Sequence, residues 1–282
     1  GMGGLSNTQI SSLTATQMAV FSTTQIAAMT ADQIAGLSTT ALSSLSLTQL
    51  GALTSTQMQA LTNDQIASLT TTQINAFSTT AIGGLSGQQV SALTADQLAA
   101  LSTRQIAALS GTGIESLSTT QLQSLTTTQF RSLTATQIAR FSEDQIAGLT
   151  TSEIAAMTTG QMAALTATEA GALQPEQLSV MTSTQLAALT VTAFGGLTAD
   201  QMAELNTTQL NGLAAQQIAS LTEDEISGLT VTILKGMSTT QIRRLTATGL
   251  AAFNADQLAA FNTTQIGALT TAALAGLNDS QV

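Results

Sequence analysis

Apolar and polar residues recur along the chain with a period of eight, from Leu5 onward, without insertion or deletion. Position 1 of the octapeptide is Leu, Phe or Met in all 35 copies, and position 6 is apolar throughout. Position 2 is Ser, Thr or Asn in 33 copies, and position 5 is Gln or Glu in 28. There are 34 complete octapeptides over residues 5–276 and a partial one over residues 277–282. We therefore predict one continuous repeat domain over residues 5–282, preceded by a cloning remnant at residues 1–4.

Each octapeptide carries the residues that start a helix. Ser, Thr or Asn followed three residues later by Gln or Glu forms a capping box, in which each side chain accepts a hydrogen bond from the other residue's backbone amide. The apolar residues at positions 1 and 6 form the accompanying hydrophobic staple. Thr30 with Gln33 and Thr134 with Gln137 are examples of the predicted pair.

Other residues suited to helix ends fall in the same register. Pro175, the only proline, lies at the first helical position, which tolerates proline best. Seven Asp residues lie at the second helical position, where the helix dipole favours a negative charge. Eight Gly residues occupy position 8, where helices commonly stop.

The eight-residue period is incompatible with one long continuous helix and with a β-strand. Eight residues at about 100° each would shift the apolar stripe by about 80° per octapeptide. A strand needs alternation with period two, and positions 1 and 6 have opposite parity. We therefore predict an all-α solenoid of very short helices, about six residues each, with one helix per octapeptide. An isolated helix of this length is unstable, so neighbouring octapeptides must share a core.

A second period concerns the copies that lack Gln or Glu at position 5. Ala41 and Ala81 are 40 residues apart, as are Ala193, Ile233 and Ala273. This spacing leads us to expect about five helices per superhelical turn, with residues 40 apart lying over one another.

The amino-acid composition argues against most kinds of catalytic, metal-binding and nucleic-acid-binding site. Cys and His are absent, so we expect no zinc, haem or iron–sulfur site, no thiol nucleophile and no imidazole base. We accordingly expect no cofactor, no metal and no enzymatic activity. With six Lys and Arg in total and 2% aromatic residues, we expect no nucleic-acid binding. No apolar run approaches the roughly 18 residues of a membrane helix, so we expect no membrane insertion by this segment.

Two residue sets invite a binding interpretation. The regular Gln at position 5 could form a ligand-binding ladder, but a capping partner explains its identity and spacing together. The carboxylates at 143–144 and 223–225 could hold calcium or act as an acid/base pair, but no calcium-loop pattern is present, and solvated helix N-termini explain them.

Threonines at positions 3 and 4 support a further hypothesis. Nine octapeptides have Thr at both positions, including Thr23 with Thr24 and Thr239 with Thr240. On a regular solenoid such pairs would form an array of hydroxyl and methyl groups, a surface able to bind ice, glycan or a protein partner. The alternative is that Thr is simply a small polar residue suited to the first helical turn.

Octapeptides such as MTADQIAG at 29–36 and LTATQIAR at 133–140 resemble a known type of repeat. They are similar to the Leu-Thr-x-x-Gln-Ile repeat arrays found inside large bacterial secreted and surface proteins, including adhesin-like ones. The resemblance covers residues 5–282 and implies an extracellular or cell-surface setting. It provides no catalytic or binding residues to transfer to this chain.

These observations favour a structural region that acts as a rod-like spacer, stalk or scaffold of a larger protein. We expect the native protein to continue at both ends, with flanking domains of the same chain as its partners. One alternative is a binding module that uses the threonine surface. The other is a filament in which copies associate end to end.

Overall fold

The computed structural model describes residues 6–279 and Gln281. They form 34 α-helices of four to six residues and no strand. There is one helix per octapeptide, which confirms the predicted all-α solenoid of very short helices. The remnant assigned to residues 1–4 lies outside the described part of the chain. The chain divides into two compact units, Gly1–Arg140 and Phe141–Val282, and the division falls between two octapeptides.

Unit 1 contains the first 17 helices. Their bounds are α1 (Asn7–Ser11), α2 (Ala15–Ala19), α3 (Thr23–Ala27), α4 (Ala31–Ala35), α5 (Thr39–Ser43), α6 (Leu47–Gly51), α7 (Ser55–Ala60), α8 (Asn63–Ala67), α9 (Thr71–Asn75), α10 (Thr79–Gly83), α11 (Gly87–Ala92), α12 (Ala95–Ala99), α13 (Thr103–Ala108), α14 (Gly111–Glu115), α15 (Thr119–Gln123), α16 (Thr127–Ser132) and α17 (Ala135–Ile138).

Unit 2 contains the other 17. Their bounds are α18 (Glu143–Ala147), α19 (Thr151–Ala156), α20 (Thr159–Met162), α21 (Ala167–Gly171), α22 (Pro175–Val180), α23 (Ser183–Ala188), α24 (Val191–Phe194), α25 (Ala199–Glu204), α26 (Thr207–Asn211), α27 (Ala215–Ala219), α28 (Glu223–Ser227), α29 (Val231–Lys235), α30 (Thr239–Ile242), α31 (Ala247–Ala251), α32 (Ala255–Ala259), α33 (Thr263–Ile266) and α34 (Thr271–Leu274).

Every helix starts at position 3, directly after an extended residue at position 2. Thr134, for example, has φ −74° and ψ 158° and precedes α17. The helix stops within six residues because the next position 1 returns to an extended conformation, as Leu61 does with φ −62° and ψ 137° after α7. Each octapeptide is thus one helical turn or slightly more, followed by an extended step.

The apolar residues at positions 1 and 6 form the core of each unit. In unit 1, Leu98 and Ile106 are fully buried at position 6, and Leu101 at position 1 is 2% exposed. In unit 2, Leu210 and Ile226 are likewise fully buried at position 6. Two large side chains per octapeptide therefore supply the apolar interior, while positions 3 and 4 mostly face solvent.

Within each unit, every helix packs against at least one helix three positions earlier or later in the chain. Unit 1 shows this in the series α1, α4, α7, α10, α13 and α16, and unit 2 in the series α19, α22, α25 and α28. The expectation of five helices per turn, with residues 40 apart stacked, is therefore wrong. Each octapeptide supplies only two apolar core positions, and a turn of five helices would enclose a wider centre than these side chains could fill.

Glycine at position 8 permits the closest approach between stacked helices. A Cβ on Gly228 would clash with the carbonyl oxygen of Ala199, the first residue of the helix three positions earlier. Contacts shorter than 3 Å to a residue 29 positions earlier would also arise at Gly84, Gly196, Gly212, Gly236 and Gly276. No described glycine has a positive φ, so these glycines serve close packing and not a left-handed turn.

None of the described helices is long and apolar enough to cross a membrane.

Candidate functional site

The capping box is present at the four residues predicted as its examples. The Gln33 amide donates to Thr30 Oγ1 at 3.2 Å, and the Thr30 amide donates to Gln33 Oε1 at 2.9 Å. The corresponding distances at Thr134 and Gln137 are 3.2 Å and 2.8 Å. Each pair satisfies two backbone N–H groups that would have no partner at a helix start.

The same Gln side chain makes a second, long-range contact that the sequence interpretation missed. Gln137 Nε2 donates to the carbonyl oxygens of Ile106 and Leu109, at 3.0 Å and 2.9 Å. These carbonyls lie 31 and 28 residues earlier, at the end of α13 and in the extended step after it. The amide thus connects the start of one helix to the end of a helix about three and a half octapeptides before it.

This contact recurs along both units and forms what we call the glutamine ladder. In unit 1 the Gln residues that donate to both carbonyls, 28 and 31 positions earlier, include Gln49, Gln57, Gln65, Gln89, Gln97, Gln121, Gln129 and Gln137. In unit 2 they include Gln177, Gln185, Gln201, Gln209, Gln217, Gln257 and Gln265. All are buried. The ladder uses both polar atoms of the amide: Oε1 accepts locally and Nε2 donates to the stacked turn.

One feature of the sequence does indicate this second role. A capping box accepts Gln or Glu, yet position 5 holds 25 Gln and only three Glu. Glu cannot donate from an ionised carboxylate, so a preference for Gln indicates that the donor group is needed. Both polar atoms of the position 5 amide are therefore used in hydrogen bonds within the fold.

The three Glu residues at position 5 are Glu153, Glu169 and Glu225. Each accepts the cap amide in the same way as Gln, and for Glu225 the Thr222 amide donates to Oε2 at 2.7 Å. The other carboxylate oxygen of Glu153 and of Glu225 is buried and finds no hydrogen-bond partner among the described residues. Burial raises the pKa of the Glu225 carboxyl, an effect that its bonds from Thr222 oppose.

The carboxylate groups singled out in the sequence lie at helix starts. Glu143 and Asp144 are exposed at the first turn of α18, and Glu223 and Asp224 are exposed at the first turn of α28. The described residues contain no group of three or more acidic, His or Cys side chains with a spacing that could hold a metal ion.

The threonines of the surface hypothesis lie in the first turn of their helices. Thr23 and Thr24 are exposed in α3 of unit 1, and Thr240 is exposed and Thr239 half-buried in α30 of unit 2. Ice, glycan or partner binding by this surface stays a prediction. Thermal hysteresis and glycan-array binding of the purified chain would test it.

A protein-family model described as the ALTTAQ repeat matches residues 114–151. The segment contains α15 to α18, and the name of the family reads as positions 8, 1, 2, 3, 4 and 5 of the octapeptide. A search of curated proteins found no match to the chain. Together with the regular array of helices, the family match identifies a structural repeat protein.

Proposed function

We propose that this repeat region is a spacer, stalk or scaffold that sets the distance between other segments of a larger protein. The observation that supports it is the glutamine ladder, in which the most regular polar side chain of the array is buried and bonded within the fold. A ligand would have to break those bonds, whereas a spacer needs them because they connect each turn to the next. The distance that the region spans would then depend on the number of octapeptides.

The proposal is tested by changing the number of octapeptides without changing their register. Deleting residues 61–84 removes three octapeptides and leaves every other residue at its own repeat position. Small-angle X-ray scattering of the full chain, the shortened chain and one lacking six octapeptides should give a longest dimension that falls in equal steps. Unchanged dimensions with intact helical circular dichroism would contradict a spacer.

For the setting, we propose an extracellular or cell-surface location, supported by the resemblance to repeats of bacterial secreted and surface proteins. Protease treatment of intact source cells, followed by detection of the chain with an antibody, would test this. Protection until the cells are lysed would contradict it.

A second candidate function is end-to-end association of copies, which a specific cavity favours. In unit 2 a cavity of about 410 Å³ is lined by Leu250, Leu258, Leu269, Leu277 and other apolar side chains. Ile266 and Leu274, also in its lining, are 44% and 40% exposed, although position 6 is buried in every octapeptide from Ile10 to Leu250. In unit 1, Gln17 and Gln25 at position 5 are exposed. A second copy would place such amides against the carbonyls beside the cavity in the register of the ladder.

Light scattering at rising protein concentration distinguishes the two candidates. Association predicts a mass that grows with concentration, and Ile266→Asp should abolish the growth. Leu47→Asp is the matched control, because Leu47 is 47% exposed but lies in α6 of unit 1, outside the cavity. A constant monomer mass for the unaltered chain would exclude association and leave the spacer.

A further inference from the structure

Glu225 occupies a ladder position but lacks the atom that the ladder uses. Its side chain is 1% exposed, and its Oε2 accepts from the Thr222 amide at 2.7 Å and from Thr222 Oγ1 at 2.8 Å. Its Oε1 is buried without a hydrogen-bond partner among the described residues. In a Gln this second atom would be the Nε2 donor.

The neighbouring copies in unit 2 show what that atom faces. Gln209 Nε2 donates to the carbonyls of Leu178 and Met181, and Gln217 Nε2 donates to those of Leu186 and Leu189. The same offsets of 31 and 28 residues from position 225 lead to the carbonyls at 194 and 197. An ionised Glu225 would therefore direct a negative oxygen toward two carbonyl oxygens, an arrangement in which every group is an acceptor.

The charged groups around Glu225 do not offset the unfavourable contact between its ionised carboxylate and the two carbonyl oxygens. Its own helix carries Glu223 and Asp224, and α25, which packs against α28, carries Asp200 and Glu204. Helix α32, which donates to the end of α28 through Gln257 Nε2, carries Asp256. Helix α24 meets α28 by the register of the ladder, and α31 lies next to the side chain of Ile226. Neither helix carries a titratable group. Every titratable group on these elements is acidic, so none of them stabilises the ionised form.

We propose that Glu225 is a proton-dependent contact between α28 and the end of α24. In its protonated form, the Oε1–H group donates to the carbonyl oxygen of Phe194 or Leu197 and completes the ladder as Gln does. Loss of this proton to solvent removes the donor and leaves a buried negative charge facing carbonyl oxygens. The contact between these two helices then weakens, and this part of unit 2 opens locally.

The direction of the pH effect follows from the raised pKa of Glu225, which burial causes first and Asp224 reinforces. A carboxyl whose pKa is higher in the folded than in the unfolded chain binds protons more tightly when folded. Its contribution to stability is fully present below the unfolded pKa of about 4.3 and is lost as the pH rises through the folded pKa. The segment should therefore be best protected under acidic conditions.

Hydrogen exchange of the full chain, followed by mass spectrometry at several pH values, tests the proposal. The readout is the ratio of protection factors between E225Q and the unaltered chain in peptides covering residues 191–228. We expect a ratio near one at about pH 4, rising to roughly tenfold at about pH 8, which is the order of magnitude expected for one buried hydrogen bond lost. E225Q supplies the missing donor and should fold at least as well as the unaltered chain.

The matched control is E204Q, which removes the same charge from an exposed side chain on α25. Its protection ratio should stay near one at every pH. Carbon-detected NMR titration of the Glu225 carboxyl provides an independent measurement, and its pKa should lie above the ordinary value. A ratio for E225Q that does not change with pH, or a Glu225 pKa at or below the ordinary value, would overturn the proposal.

Discussion

The octapeptides at 205–212 and 221–228 lie two repeats apart in unit 2 and carry different groups at position 5, Gln209 in one and Glu225 in the other. Both start with a capped helix, α26 and α28, and both bury their position 6 residue completely. Gln209 donates to two carbonyls of the stacked turn, whereas the corresponding atom of Glu225 is an oxygen with no hydrogen-bond partner in the described part of the chain. The backbone is nevertheless the same. The apolar core and the cap therefore define each octapeptide, and the ladder adjusts how firmly one turn holds the next.

The largest effect should come from removing the core that the two octapeptides share. Leu210→Ala and Ile226→Ala each delete a fully buried side chain, so each should lower the free energy of unfolding by about 2–5 kcal/mol. Urea denaturation followed by circular dichroism would measure the losses. Ile266→Ala, at a position that is 44% exposed, is the control and should cost clearly less. Very different losses for Leu210 and Ile226 would mean that the polar group, and not the core, defines the octapeptide.

The next largest effect on stability should come from a substitution that prevents the close approach of stacked helices. Gly228→Ala would bring a Cβ into a clash with the backbone oxygen of Ala199, so the stacked helices must move apart, and we expect the free energy of unfolding to fall by about 1–3 kcal/mol. Gly160→Ala is the matched control, because its Cβ would meet nothing closer than 3.9 Å and alanine favours the helix. Thermal unfolding of both variants measures the difference. Equal midpoints would show that the approach at Gly228 adjusts without cost.

The ladder can be tested by converting one octapeptide into the other. Gln209→Glu should remove the long-range donor and leave a buried unpaired oxygen, with an expected loss of about 1–3 kcal/mol at neutral pH. The loss should shrink on acidification, because a protonated carboxyl can donate again. Gln25→Glu, at an exposed position, provides the control and should have little effect. A pH-independent loss at position 209 would argue against the donor as the cause.

The smallest effect concerns the octapeptide that lies between these two. Ala214 occupies the N-cap with the usual extended backbone, φ −67° and ψ 151°, but has no side-chain oxygen to accept a bond. Its amide still donates to Gln217 Oε1 at 2.8 Å. Ala214→Ser should restore the missing half of the capping box and raise stability by about 1 kcal/mol. Ala215→Ser, one residue later, cannot cap and should bring no gain in the same urea titration.

Much of the fold can be predicted from the sequence because the signals are local. The capping box defines where each helix begins, and the spacing between positions 1 and 6 defines which residues are buried. The number of helices per turn cannot be obtained in this way, because it depends on how the extended steps orient successive helices. The 40-residue spacing of Ala41 and Ala81 is a pattern of missing Gln residues and does not correspond to stacking.

The candidate site was only half predictable for a related reason. A capping box explains Oε1 of Gln137 completely, and nothing local requires a partner for Nε2. That partner is a carbonyl group 28 residues away, and backbone carbonyls are present at every position of any sequence. The excess of Gln over Glu at position 5 is the only trace that the long-range bond leaves in the sequence.

The span of the ladder bonds has a consequence for how each unit folds. Its tertiary hydrogen bonds close loops of 28 to 31 residues and none of these bonds joins distant parts of the chain, and folds dominated by such short sequence separations fold rapidly. Any window of four or five octapeptides contains a complete set of partners. Folding can therefore nucleate at many places and spread in both directions, with no single obligatory nucleus. Core substitutions in different octapeptides should thus slow refolding by similar small factors.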